Sequence, residues 1–346
     1  MTAATATSAL PPSAARRVAI PRELSLSALR RPDGPLQSLR GTTMGTSWNV
    51  TWVGLADAAD TVRAAIERRL ARVVAQMSPW EPQSDISRFN AGRVGAWVSL
   101  PHDFCEVMAC ALCIAEESDG CCDPALGTLI NLWGFGPQPA PPERPSSADI
   151  NAALGQSGWR NLAFDPSSRR LMRSKPAHLD LCGIAKGYAV DLVARTLRQY
   201  GIVDALVEIG GELTGHGVKP DGTPWWVAID TPAGANLPPI VVALHGLAIA
   251  TSGCERHFQH AGAIYSHTLD PRTGMPIDNG MVTATVLHDS CMQADAYATA
   301  LMVMGPERAL AFAEEKQLAA VIRYRPASHD AIAEALSTSM QAMLDD

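Results

Sequence analysis

The run Ala294-Asp-Ala-Tyr-Ala-Thr-Ala-Leu-Met-Val-Met304 reads as a helix that is apolar nearly all round, and such a helix has to be buried. A chain of 346 residues can supply the necessary interior, as one large domain or two modest ones. Within this helix Asp295 and Thr299 stand four residues apart and so share a face. Aspartate is rarely placed in apolar surroundings without a partner. A carboxylate and a hydroxyl projecting together offer a hard cation two oxygen ligands. Magnesium takes few protein oxygens and completes its shell with water and phosphate. A helix-capping aspartate, or one paired with a distant arginine, accounts for the same pattern.

A second stretch is Asp180-Leu-Cys-Gly-Ile-Ala-Lys-Gly-Tyr-Ala-Val-Asp191. A short extended run, 178–181, leads into a helix whose apolar positions Ala185, Tyr188, Leu192, Val193, Leu197 and Tyr200 keep one face. Gly201 fits a left-handed C′ position. Gly183 and Gly187 allow another molecule close to the backbone. Free amides and the positive dipole end, beside Lys186, suit a phosphate-bearing ligand. On this stretch alone an ordinary strand–glycine–helix joint is the simpler account.

Residues 1–39 read as a disordered tail dominated by Ala, Ser, Thr, Pro and Arg, and the folded domain is expected over 40–346. Arg16-Arg17 lacks the apolar run of an export signal, so cytoplasmic residence is expected, with periplasmic location the alternative if the true start differs. From Leu39 a Gly/Thr-rich turn feeds a strand with Trp48, Val50 and Trp52 on one face. A helix follows over 58–77, capped by Asp57. Ser84 to Asn90 reads as a short capped turn of helix, and 104–118 as a further helix. Later come strands at 205–209, 225–229, 240–244, 282–287 and 319–324. No repeat or linker divides them, so a single domain of mixed elements is expected.

The charge balance, 28 Lys+Arg against 35 Asp+Glu, argues against a general nucleic-acid binder. No apolar run approaches the roughly 20 residues of a membrane span. Cys110 and Cys113, with Cys105, Cys121 and Cys122 nearby, superficially suggest zinc. The first two fall in a helical apolar pattern and no histidine has ligand spacing, which favours buried thiols in a reducing compartment.

Taken together, the motifs resemble the ApbE family of FAD:protein FMN transferases from about Leu39 to Glu315. The residues that carry this are Thr43-Met44-Gly45-Thr46, Asp85-Ile86-Ser87-Arg88-Phe89-Asn90, Asp123-Pro124 and Leu132-Trp133-Gly134-Phe135-Gly136. They continue with Asp180-Leu181, Ile184-Ala185-Lys186-Gly187-Tyr188-Ala189, Gly210-Gly211 and Ala250-Thr251-Ser252-Gly253. Last are His267 with Asp270-Pro271-Arg272-Thr273-Gly274, and Ala294-Asp295-Ala296 with Thr299. Cys122, Cys182 and Cys254 depart from the residue types common in the family.

The resemblance implies an α+β fold similar to the T-fold type and a magnesium-dependent enzyme. Such an enzyme moves the FMN half of FAD onto a threonine or serine hydroxyl of a target flavoprotein and releases AMP. It implies that Asp295 and Thr299 hold magnesium with backbone oxygens of Ala185 and Ala298. It also implies that Met44, Trp80, Cys121, Cys122, Asp123, Cys182, Tyr188 and Leu269 line the FAD site. Lys186 is expected to assist at the phosphates. His267 is the expected general base, since an imidazole neutral near pH 7 can take the proton of an attacking hydroxyl. An FAD pyrophosphatase and a non-catalytic FAD-binding protein are the alternatives. No acceptor-like motif occurs in the chain, so the acceptor is expected to be another protein.

Overall fold

The computed structural model describes residues 16–21, 31–55, 59–139, 141, 143–254, 257–260, 263–328 and 331–344. Its backbone is an eight-stranded antiparallel sheet. In spatial order the strands are Ala333–Leu336, Ala319–Tyr324, Met281–His288, Leu247–Gly253, Glu212–His216, Ala205–Ile209, Thr46–Val53 and Leu36–Thr43. Successive residues of a strand point to opposite faces, and here both faces are buried. Trp48, Val50, Trp52, Val207, Ala248, Ala250, Ala284, Val286, Ala320 and Ile322 pack beneath the helices. The intervening Leu206, Ile249, Leu287 and Val321 face a smaller three-stranded sheet.

The helix layer contains Ala59–Met77, Ala185–Gln199, Cys291–Met304 and Pro306–Glu315. Alanines at 248, 250, 284 and 320 leave room for the buried helix Cys291–Met304 to lie low on the sheet. All but two of that helix's residues are buried, as its all-round apolar sequence predicts. Where it meets the start of the helix Ala185–Gln199, at Gly183 and Gly187, there is no room for a side chain. A Cβ on Gly187 would lie 2.3 Å from the Cys291 carbonyl oxygen, and one on Gly183 2.9 Å from Thr299 Oγ1. At Gly187 what the missing side chain admits is the chain's own second helix, which corrects the sequence reading there; Gly183 also lines the cavity described below.

The α+β class and the single domain agree with expectation, but the tail does not hold throughout. Arg17–Ala19 forms a strand parallel to Ile240–Leu244, at the edge of the three-stranded sheet completed by Trp225–Ile229. Leu36–Thr43 is the edge strand of the large sheet, so order begins before residue 40. Residues 1–15 and 22–30, and the expected cap Asp57, lie outside the described residues. Among the described residues no helix is long and apolar enough to cross a membrane.

Candidate active site

A cavity of about 1390 Å³ opens where the helix layer, the ends of the central strands and three loops converge. The sequence motifs turn out to be the devices that hold those loops. Asn90 lies in the short helix Asp85–Ala91, capped by the Ser84 hydroxyl as its spacing predicts. Its side chain donates to the Leu179 carbonyl (3.0 Å) and accepts from the Leu179 amide (2.7 Å). On its other side the same run is bonded by Asp180 N–H to Pro124 O and Gly127 N–H to His178 O, each 2.9 Å. The segment is therefore extended without being a strand. Trp133 reaches across to donate to the Gly274 carbonyl (2.9 Å), and Asp270 accepts two bonds from the Arg272 guanidinium at 2.7 and 2.9 Å. These contacts fix the turn that follows His267, whose ring meets Phe135 edge-on at 6.3 Å.

Of the expected site residues, Met44, Trp80, Cys121, Cys122, Asp123, Cys182, Ala185, Lys186, His267, Leu269, Asp295 and Thr299 all line this one cavity. Met44 and Gly45 both have positive φ, 49° and 72°, the two-residue hairpin turn between Thr43 and Thr46. Trp80 is half exposed at the cavity wall.

Tyr188 and Ala298 do not line it. Tyr188 sits one helical turn below, buried in the core, with its hydroxyl donating to Glu106 Oε2 at 3.2 Å. Ala298 is fully buried in its helix. Asp123 has both carboxylate oxygens committed to backbone amides, of Ala125 (2.8 Å) and Trp159 (3.0 Å). It shapes the loop, and burial raises its pKa to about 6 against those two bonds.

The charged centre is compact. Asp295 is 3% exposed and accepts from the Gly187 amide at 2.9 Å. That amide is one that the sequence reading left free for phosphate. Lys186 Nζ lies 2.5 Å from Glu212 Oε1 and 3.9 Å from Asp295 Oδ1. Burial pushes the Asp295 carboxyl up, with Lys186 opposing. Glu212 is pushed up to about 7 by burial, and Lys186 again pulls it down. For Lys186, burial disfavours the ammonium, but Asp295 and Glu212 together outweigh it and raise its pKa.

Glu212 directly follows Gly210-Gly211 in the sequence and belongs to no motif there. Its pairing with Lys186 spans two elements and leaves no local signal.

Thr299 Oγ1 lies 3.2 Å from Ser252 Oγ and donates to the Asp295 carbonyl at 3.2 Å. Glu212 Oε2 is buried and accepts no hydrogen bond. Among the described residues no three His, Cys, Asp or Glu side chains are grouped to hold a metal. The oxygens of Asp295, Thr299 and Glu212 and the Ala185 carbonyl are nonetheless the hard donors that magnesium accepts, and the orphaned Glu212 oxygen is an acceptor in want of a partner. The residues present fit such an ion.

A cavity of this volume, walled by apolar side chains with a buried cluster of charge at its base, has the size and lining of a site for a nucleotide-sized ligand. Comparison with known proteins gives the family. The chain matches the ApbE family over residues 44–322 and belongs to it; it is a transferase. It is 38% identical over 307 residues to the FAD:protein FMN transferase of Vibrio cholerae, covering 87% of this chain and 91% of the relative. To the Haemophilus influenzae protein of the same name it is 33% identical, covering 89% and 92%. The apo Pseudomonas stutzeri flavinyl transferase ApbE superposes with a TM-score of 0.83 at 36% identity, over 90% of this chain and 98% of that one. The Thermotoga maritima ApbE protein gives 0.78 at 29% identity, over 90% of this chain and all of that one.

Proposed function

We propose that this protein transfers the FMN half of FAD to a threonine or serine hydroxyl of a target flavoprotein, forming a phosphoester and releasing AMP, with magnesium as cofactor. The observation that carries the reading is the meeting of His267, Lys186, Asp295 and Thr299 on one cavity large enough for a dinucleotide. In balance, the acceptor oxygen bonds to the FMN phosphorus, the pyrophosphate P–O bond to AMP breaks, and the acceptor proton goes to His267. Phosphoryl transfer of this kind depends chiefly on position and on neutralising charge.

Asp295, Thr299 and the Ala185 carbonyl would hold magnesium, with Glu212 Oε2 close by. The ion, when bound, neutralises charge on the pyrophosphate. Lys186 is held at the base of the cavity by Glu212, and its ammonium adds positive charge there. Phe135 against the His267 ring and the Trp133–Gly274 bond hold the base in place. Ala298, enclosed in its helix, is left out of the ligand set.

Incubation with FAD, magnesium and a candidate acceptor flavoprotein tests the reading. Covalent flavin fluorescence on the acceptor band is the expected result. Free FMN with an unlabelled acceptor would point to a pyrophosphatase, and unchanged FAD to a binding protein; either outcome overturns the proposal.

A further inference from the structure

Behind the cavity wall lies a buried ionic chain with no place in the chemistry above. Arg323, in the strand Ala319–Tyr324, is 1% exposed. Its Nε donates to Glu334 Oε2 at 3.0 Å, across the strand pair in which the two residues are register partners. Glu334 Oε1 receives Arg17 Nη1 at 2.6 Å, from the short N-terminal strand. Arg17 is itself anchored by the backbone, its amide to Pro239 O (2.9 Å) and its Nη2 to Pro238 O (3.0 Å). Of the two terminal nitrogens of Arg323, Nη1 donates to the Asp230 carbonyl and Nη2 is buried without a hydrogen-bond partner.

That last bond fixes the orientation of one peptide. Asp230 follows the strand Trp225–Ile229, and the segment 228–233 lines the cavity, whereas Arg323 does not. The described residues contain no cis peptide. In a planar trans unit the carbonyl and the following N–H point in opposite directions. With the Asp230 carbonyl turned to Arg323, the Thr231 N–H is turned away from Arg323, in a residue that lines the cavity. A guanidinium is a full cation, so the bond from Arg323 to the Asp230 carbonyl is charge-assisted.

We propose that Arg323 is a positioning residue for the substrate. Held through Glu334 by Arg17, it sets the Asp230–Thr231 peptide so that the Thr231 amide donates to an acceptor oxygen of bound FAD. The N-terminal strand is then part of the binding apparatus, although it touches no ligand. This inference rests on the cavity being the FAD site, so FAD binding by the unaltered full chain is measured first; its absence would sink that reading and not this one.

Given binding, variants of the full chain are compared by quenching of flavin fluorescence, each with a thermal melt. Thr231→Pro removes the amide proton together with the threonine side chain, and its FAD dissociation constant should rise roughly tenfold, the value of one charge-assisted hydrogen bond, whereas Thr231→Ala, which keeps the amide, should bind FAD like the unaltered protein. Arg323→Lys keeps the charge but cannot fork to Glu334 and Asp230 together, and should rise by a similar factor. The double variant should lose no more than the larger single loss, because both act through one peptide. Arg17→Ala, at the edge of the fold, should weaken binding several-fold and serves if Arg323→Lys fails to fold. Additive losses, or Thr231→Pro and Arg323→Lys variants that bind FAD like the unaltered protein at temperatures below their melts, would refute the proposal.

Discussion

At the scale of single residues, the site separates into groups that carry charge and groups that hold loops. Asp295 is the carboxylate closest to the proposed magnesium set, and it is buried. Asp295→Ala should nearly abolish transfer while leaving part of the FAD affinity, which the apolar cavity walls supply. A magnesium titration of transfer checks it, and near wild-type rates at limiting magnesium would refute the assignment. His267→Ala should slow transfer by roughly 10²–10⁴-fold, the usual contribution of a general base. The wild-type rate should fall on the acid side as the imidazole protonates, and the variant should lose that limb. A limb that persists in the variant would give the titration to another group. Asp123 shows what reading residues one at a time omits. The family pattern makes it a ligand-contacting residue, it lines the cavity, and the fold adds that its two oxygens accept from amides 2 and 36 positions away.

At the scale of elements, the two central helices are held in contact by what glycine lacks. Gly187→Ala forces a methyl group against the Cys291 carbonyl and the Asp295 Cβ, at 2.3 and 2.9 Å. Overpacking of this kind costs about 1–3 kcal/mol or more, and urea unfolding should show it. Gly155, in the helix Ser147–Gln156, meets nothing within 4 Å. Gly155→Ala should therefore stabilise the protein by about 0.5–1 kcal/mol in the same assay. If the two changes had equal effects, the helix contact would not be the constraint described.

Elements with a strong period were legible. The strands Ala205–Ile209, Trp225–Ile229, Ile240–Leu244 and Ala319–Tyr324 appear where the sequence places them. The edge strand Leu36–Thr43 was not legible. It is largely solvated, so it carries little apolar alternation, and it is specified by its partner Thr46–Val53. Arg17–Ala19, three residues in an otherwise polar and proline-broken stretch, is specified by Ile240–Leu244 and by Glu334. Long-range pairings of this sort leave no trace in a local window.

At the scale of the whole molecule, acid stability should carry the mark of His216, at the end of the strand Glu212–His216. Burial first, then Arg198 and His245, lower its pKa from 6.5 to about 4. The unfolded chain therefore binds a proton near pH 6.5 that the folded one refuses until about pH 4. This contribution to stability is present above 6.5 and lost as the pH falls through that window. Asp123, raised by burial, acts in the opposite sense, so the comparison has to be with a variant. His216→Asn should flatten the fall in stability between pH 6.5 and 4 by on the order of 1 kcal/mol, after discounting for partial exposure. Urea midpoints at several pH values for both proteins provide the check, and parallel curves would count against it.

The triad of Lys186, Glu212 and Asp295 has a consequence for how the molecule assembles its ligands. One ammonium faces two carboxylates, and the nearby Gly187 amide is already spent on Asp295. When all three groups are ionised, the base of the cavity carries a net negative charge. An anionic pyrophosphate and that base repel each other until a cation joins them. Affinities for the nucleotide and for the cation are then linked, and linkage is symmetric: whatever factor magnesium adds to FAD binding, FAD must add to magnesium binding. Under the proposed function, the two ligands would therefore be each other's effector.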